Sequence, residues 1–254
     1  MTGHRKAARL AAGAAAVVLA AASATVARAD DIGGLSAAQI VERSREALAD
    51  AQSLRLRSTG DLGGGRDAMR VDLTLDREGN CAGGVDLGNG GGSVRIVERG
   101  DDVWLKPDEA FWENQVPGGG TAFEAVVAGR WMKGAATDPR LRTVTQACDL
   151  DTFRDRVRDG TDLGEDAGTL VKEPERRVDG VSVVPVSGTR DRERFTVYVS
   201  AEGTPYPVRV TVAGPSEDVT ARLSDFDEPV PADTPAARDT VDITAVLGRT
   251  TSPV

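Results

Sequence analysis

The sequence predicts an α+β fold built on a mainly antiparallel, strongly curved sheet. Three observations carry this: an amphipathic helix near the start, period-two apolar alternation through most of the remaining chain, and one interruption by short helices. A sheet with so many strands and so little helix must wrap around something.

Residues 1–29 read as an export signal. Arg5, Lys6 and Arg9 precede an Ala/Val/Leu run over 10–24, and Ala27-Arg28-Ala29 supplies small residues where signal peptidase reads. The run is too short and too alanine-rich to make a convincing membrane span. Residues 30–235 are expected to form a single domain, followed by a flexible tail over 236–254.

Ser36-Ala37-Ala38-Gln39, preceded by Leu35, is a capping box, and Ile40, Val41, Ser44, Ala47, Leu48 and Ala51 recur at helical spacing, predicting a helix over about 36–51. From Leu54 the period changes. Leu54/Leu56/Ser58 and Met69/Val71/Leu73/Leu75 alternate with polar residues, the pattern of two half-buried antiparallel strands joined through Asp61-Leu62-Gly63-Gly64-Gly65. Further strands are predicted at 81–87, 93–98 and 102–106. Residues 107–135 are irregular, with a short helix over 122–128, and Asp149-Leu150-Asp151 opens another that ends near Gly160. Strands are predicted again at 163–172, 181–188, 194–200, 206–213 and 219–226, with Glu202-Gly203-Thr204-Pro205 as a turn.

Composition removes several functions. Cleavage after Ala29 leaves 225 residues with 27 basic and 40 acidic groups, a formal charge of −13, and no histidine, since His4 is the only one. Without imidazole there is no Ser-His-Asp or Cys-His mechanism, and the commonest ligand for zinc, copper or haem is missing; no cofactor or metal is expected. The negative charge and the lack of a basic stretch standing apart argue against nucleic acid.

Two cysteines in an exported chain are expected to pair, Cys81 with Cys148. Closing that loop removes roughly 4 kcal/mol of unfolded-state entropy on the chain-entropy model. It also ties the two halves of the chain into one unit.

The glycine run 88–92 lacks the Gly-Lys-Ser/Thr of a P-loop and precedes a strand, so it reads as a hairpin connection. The carboxylate groups Asp101/Asp102, Asp149/Asp151/Asp155 and Glu165/Asp166 have neither a calcium-loop pattern nor a demonstrable glycosidase geometry, and capping explains Asp149 and Asp151 more simply. The aromatics are more informative. Trp104, Phe111, Trp112, Phe123 and Trp131 place five of the ten aromatics, and all three tryptophans, within 28 residues. Any one tryptophan is most simply core. Together, without period and beside glycines, they fit the lining or lid of an apolar cavity, with Leu73, Leu75, Val94 and Ile96 as the opposite wall.

These residues resemble a family. Cys81 after a strand, the glycine turn, Ser93-Val94-Arg95-Ile96-Val97, Asp102-Val103-Trp104-Leu105-Lys106-Pro107 and Phe111-Trp112 are similar to exported actinobacterial proteins of the LppX/LprG type. Gly129-Arg130-Trp131-Met132-Lys133, Cys148-Asp149-Leu150, Tyr198-Val199, Gly203-Thr204-Pro205-Tyr206-Pro207 and Phe226-Asp227-Glu228-Pro229-Val230 continue the resemblance over about 36–235. It implies a half-barrel sheet with helices on its concave face, as in the LolA/LolB lipoprotein-carrier fold. It also implies an acylated lipid or other hydrophobic molecule held between sheet and helices, without catalysis or metal. Lipoprotein members carry a cysteine at the cleavage site, where this chain has Ala29-Asp30, so no covalent lipid anchor is expected.

The expected protein is therefore a monomeric, extracytoplasmic, non-enzymatic carrier or binder. Two other readings stay open: an interaction or sensory module of the same fold whose cavity is filled by its own side chains, and a hydrolase acting through carboxylates or serine.

Overall fold

The structure is a computed structural model that describes residues 32–61, 69–116, 127, 129–161, 169–190, 192–215 and 218–243. The export signal, Phe123, Glu165/Asp166 and, apart from Val127, the helix expected over 122–128 lie outside those residues.

Helix α1 spans Ala37–Asp50. Gln39 N donates to Ser36 Oγ at 3.3 Å and Ser36 N donates to Gln39 Oε1 at 2.9 Å, the reciprocal cap that the sequence predicts. Ile40, Val41, Ser44, Ala47 and Leu48 are buried, and Ala51 closes the stripe at 0% exposure. Strands β1 (Ser53–Asp61), β2 (Met69–Asp76), β3 (Cys81–Asp86), β4 (Ser93–Arg99) and β5 (Asp102–Pro107) then succeed one another across the sheet.

The middle of the chain is more helical than its sequence predicts. Helix α2 covers Glu109–Gln115, β6 covers Trp131–Ala135, α3 covers Arg142–Cys148 and α4 covers Leu150–Thr161. Of these the sequence predicts only α4. Two turns give the 3.6-residue period too little length to register in α2 and α3, and the five residues of β6, Trp-Met-Lys-Gly-Ala, show no period-two alternation of apolar and polar side chains. Local capping does mark α2: Phe111 N donates to Asp108 Oδ1 at 2.8 Å.

The second half supplies β7 (Val171–Lys172), β8 (Arg176–Val178), β9 (Val181–Arg190), β10 (Glu193–Ser200), β11 (Pro207–Ala213) and β12 (Asp218–Ser224). β13 (Thr240–Asp242) pairs parallel with β6 at one edge. The flexible tail expected from 236 thus begins too early, because Thr240–Asp242 joins the sheet and Ile243 is 8% exposed. A three-residue edge strand is too short to show alternation.

The 13 strands form one curved sheet in the order β13-β6-β5-β4-β3-β2-β1-β12-β11-β10-β9-β7, with β8 on β9. All pairings except β13 with β6 are antiparallel. The β1–β12 pairing joins the two halves of the chain, and the result is the open half-barrel expected from the sequence.

One face of the sheet holds the core. The main cluster joins Leu54, Leu73, Leu75, Ile96, Val103, Leu105, Met132 and Leu223 of the strands to Leu48, Trp112, Leu141, Cys148 and Leu150 of the helical segments. A second cluster packs Ile40 and Val41 of α1 on Val184, Val186, Phe195, Val197 and Val199. The helices therefore cover the inner face. Cys81 and Cys148 are bonded with Cα atoms 5.5 Å apart, fixing the end of α3 to β3.

Candidate functional site

The registers divide the inner face of β1–β5 into cross-strand rows. Leu54 pairs with Leu75, Leu75 with Cys81, Cys81 with Glu98 and Glu98 with Val103. This row is sealed: the four apolar members are 0% exposed and Glu98 is 7% exposed. Leu56, Leu73, Gly83, Ile96 and Leu105 make the next row, and here Leu73, Ile96 and Leu105 are still buried. Gly83 leaves this row without a side chain between Leu73 and Ile96. Its φ of 150° and an approach of 2.0 Å from Asp72 O to a would-be Cβ require glycine there.

Two residues further along, Val210, Ala221, Ser58, Val71, Val85 and Val94 run side by side over six strands. All six are only half-buried. Val71, Val85, Val94 and Val210, with Phe111 and Val116, lie at the margin of the main core. Five of these six row positions carry no polar side-chain atom. The row is apolar surface at the open end of the concave face.

Helix α2 stands over this end. Phe111 and Trp112 meet edge to face, with ring centroids 5.7 Å apart at 88°. The glycine turn after β3 holds the helix rather than a ligand: Asn114 Nδ2 donates to Gly90 O at 3.1 Å and Gln115 Nε2 donates to Gly91 O at 3.2 Å. Gly92 has φ 83°, and a Cβ there would lie 2.1 Å from Phe111 N, so only glycine lets α2 approach so closely. A hollow of about 430 Å³ at the level of the half-open row is lined by residues 57–59, 70–72, 84–86 and 93–95. A smaller one of about 280 Å³, with charged walls, lies between α1 and α4.

The chain is similar in fold to LprF from Mycobacterium bovis, with 17% identity and a TM-score of 0.53 over 79% of this chain and 97% of that one. The Mycobacterium tuberculosis lipoprotein LppX aligns with 15% identity and a TM-score of 0.49 over 78% of this chain and 98% of that one. No protein-family model matches the chain, and no curated protein matches it in sequence. The fold is of the LppX/LprG type. At such identities the likeness is one of architecture.

Within this LppX/LprG-type fold the residues singled out in the sequence separate into three groups. Leu73, Leu75, Ile96 and Trp112 sit in the main core, at 1%, 0%, 3% and 6% exposure. Val94 and Phe111 lie at its half-open margin. Trp104 and Trp131 do not join them. Val103 and Leu105 point inward, so Trp104 between them points outward, opposite Val97 and Lys133. Met132 likewise points inward and Trp131 outward, under the Arg95 guanidinium at 5.1 Å. Placing these two tryptophans in a cavity lining is thus corrected. The run Val103-Trp104-Leu105 is apolar throughout, so its parity is ambiguous in sequence. The pairing of Val71 with Val85 as a wall is a further difference, although alternation from Leu73 points to Val71.

The carboxylates are accounted for singly. Asp102 pairs with Lys133 at 2.8 Å, Asp149 accepts from Thr152 N at the start of α4, and Asp151 pairs with Arg154 at 2.7 Å. The capping reading of Asp149 thus holds, and Asp151 lies in the first turn of α4, where a negative charge is favoured and where it also pairs with Arg154. Among the described residues no three His, Cys, Asp or Glu side chains converge on one point. Glu98 is the exception that sequence reasoning missed. It sits beside the disulfide with Oε2 lacking any hydrogen-bond partner, and burial, reinforced by the charge of Asp149, pushes its carboxyl up to about 7.

Proposed function

We propose that this protein is an extracytoplasmic, non-enzymatic binder of a hydrophobic ligand with an acyl chain, held between the inner sheet face and the helical layer. The observation that supports this reading is the half-buried row Val210-Ala221-Ser58-Val71-Val85-Val94, continuous across six strands beside Phe111. Each methylene laid on such a surface contributes about 0.8 kcal/mol before ordering costs. Val94 and Phe111 would touch the chain. Leu73, Ile96 and Trp112 would form the floor beneath it, with Leu75 in the sealed row further in.

The basic start and apolar run of residues 1–29 support a location outside the cytoplasm, and the described residues contain no helix long and apolar enough to cross a membrane. With Ala29-Asp30 at the cleavage site, the carrier is released without a lipid anchor and works as a monomer, residues 30–243 acting as one disulfide-tied unit.

A second reading has its own support. The floor residues are so closely packed that the same fold could serve as an interaction module with no ligand at all. Organic extraction of the purified protein followed by mass spectrometry separates the two. A co-purifying acylated molecule is expected for a carrier. An empty protein that also fails to bind a fluorescent fatty acid leaves the filled-module reading in place.

A further inference from the structure

The outer face carries a patch that no stretch of sequence displays, because pairing assembles it from three strands. Arg95 of β4 pairs with Lys106 of β5, and Val97 pairs with Trp104, which pairs with Lys133 of β6. Trp131 lies beside them. Like charges placed directly opposite on a sheet are destabilising, so the Arg95–Lys106 pair costs the fold something.

Elsewhere on the same face such crowding is neutralised. Arg209 pairs with Arg222 and Arg222 with Arg57, but Asp179 reaches both Arg209 and Arg222, and Asp72 reaches Arg57 and Arg55. Among the described residues no carboxylate comes within ion-pair range of Arg95 or Lys106. Their company is aromatic. Arg95 lies over the Trp131 ring at 5.1 Å and Lys133 over the Trp104 ring at 5.1 Å, so two cation–indole pairs stand side by side. Two carboxylates border Lys133, Asp102 at 2.8 Å and the exposed Asp242 opposite it in β13, against the three cations Arg95, Lys106 and Lys133. The patch is net positive in a chain with 40 acidic against 31 basic groups.

We infer that this patch docks on the surface of an anionic phospholipid bilayer. Uncompensated cations meet lipid phosphates, and the half-buried Trp131 indole, with its polar edge, sits at the headgroup level, while Trp104, 8% exposed, lies beneath Lys133 as support. Three adjacent strands span only roughly 10 Å, so a curved sheet can lay this area flat on a membrane. This docking is independent of the acyl-ligand reading, since the patch is on the opposite face of the sheet.

The test is sedimentation of the full chain with phosphatidylcholine vesicles and with vesicles that also contain phosphatidylglycerol. Wild type should partition to the anionic vesicles only, and high salt should release it. The double variant R95Q/K106Q should lose about fivefold in partitioning per cation removed, while the charge-retaining R95K/K106R should bind like wild type. Fatty-acid probe binding should be unchanged in the single variant K106Q, whose position does not line the hollow beside the half-open row, and this separates failure here from failure of the carrier reading. Equal partitioning to neutral and anionic vesicles, or full binding by a folded R95Q/K106Q, overturns the inference. So does tighter binding to soluble polyglutamate than to anionic vesicles, which would mark the patch as a site for an acidic protein.

Discussion

Along the same strands, the row Leu54-Leu75-Cys81-Glu98-Val103 is sealed, whereas Ser58, Val71, Val85 and Val94, roughly 13 Å further on, stay half-exposed. The sealed end has α3, α4 and the disulfide pressed onto it. Among the described residues the other end has only the margin of α2. One apolar sheet thus does two jobs: where helices cover it the side chains stabilise the fold, and where they do not the same residue types offer surface to something else.

The sharpest way to break this contrast is at the sulfur bridge. Replacing both Cys81 and Cys148 by alanine should destabilise the protein by about 4 kcal/mol and lower the melting temperature markedly. An unchanged midpoint would mean that the sealed end does not depend on its staple. Next in size are single truncations in the two rows. Leu75→Ala should cost about 3 kcal/mol in denaturant titration, while Val85→Ala should cost about 1 kcal/mol and weaken binding of a fluorescent fatty acid instead. Equal costs at the two positions would erase the distinction between closed and open ends.

Glu98 gives a subtler handle on the sealed end. Its folded pKa of about 7 lies above the value of 4.5 expected when unfolded. The folded state therefore keeps its proton where the unfolded state has lost it, and stability falls as pH rises from about 4.5 to about 7. Glu98→Gln should remove this decline and raise the melting temperature at pH 8 more than at pH 4. The smallest effect is expected on the outer face. There Asp72, held below its usual range by the hydrogen bond from Arg55, is half-exposed, and Asp72→Asn should change stability by less than about 1 kcal/mol.

Much of the architecture can be read from period and capping. The Ser36/Gln39 box and the alternation through Leu54, Leu73 and Leu75 depend on local chemistry, the disulfide follows from there being two cysteines to pair, and all three reappear in the structure. The features that escape are non-local or short. Helices α2 and α3 are two turns long, and β13 finds its partner more than a hundred residues away. The tryptophans mislead because clustering in sequence says nothing about which side of a pleated strand a ring takes. Trp104 and Trp131 group with Trp112 along the chain, and the pleat sends them to the other face. Glu98 can be found by counting two residues on from Ile96.

The central claim is that the open row receives an acyl chain, and titration of a fluorescent fatty acid into wild type and Val85→Asp tests it most directly. A charge on a half-buried, solvent-margined position should leave the fold standing while spoiling an apolar contact. Saturable binding by wild type that is lost in the variant, with an unchanged circular dichroism spectrum, is the predicted result. Binding of equal strength in both proteins, or none in delipidated wild type, would contradict the account.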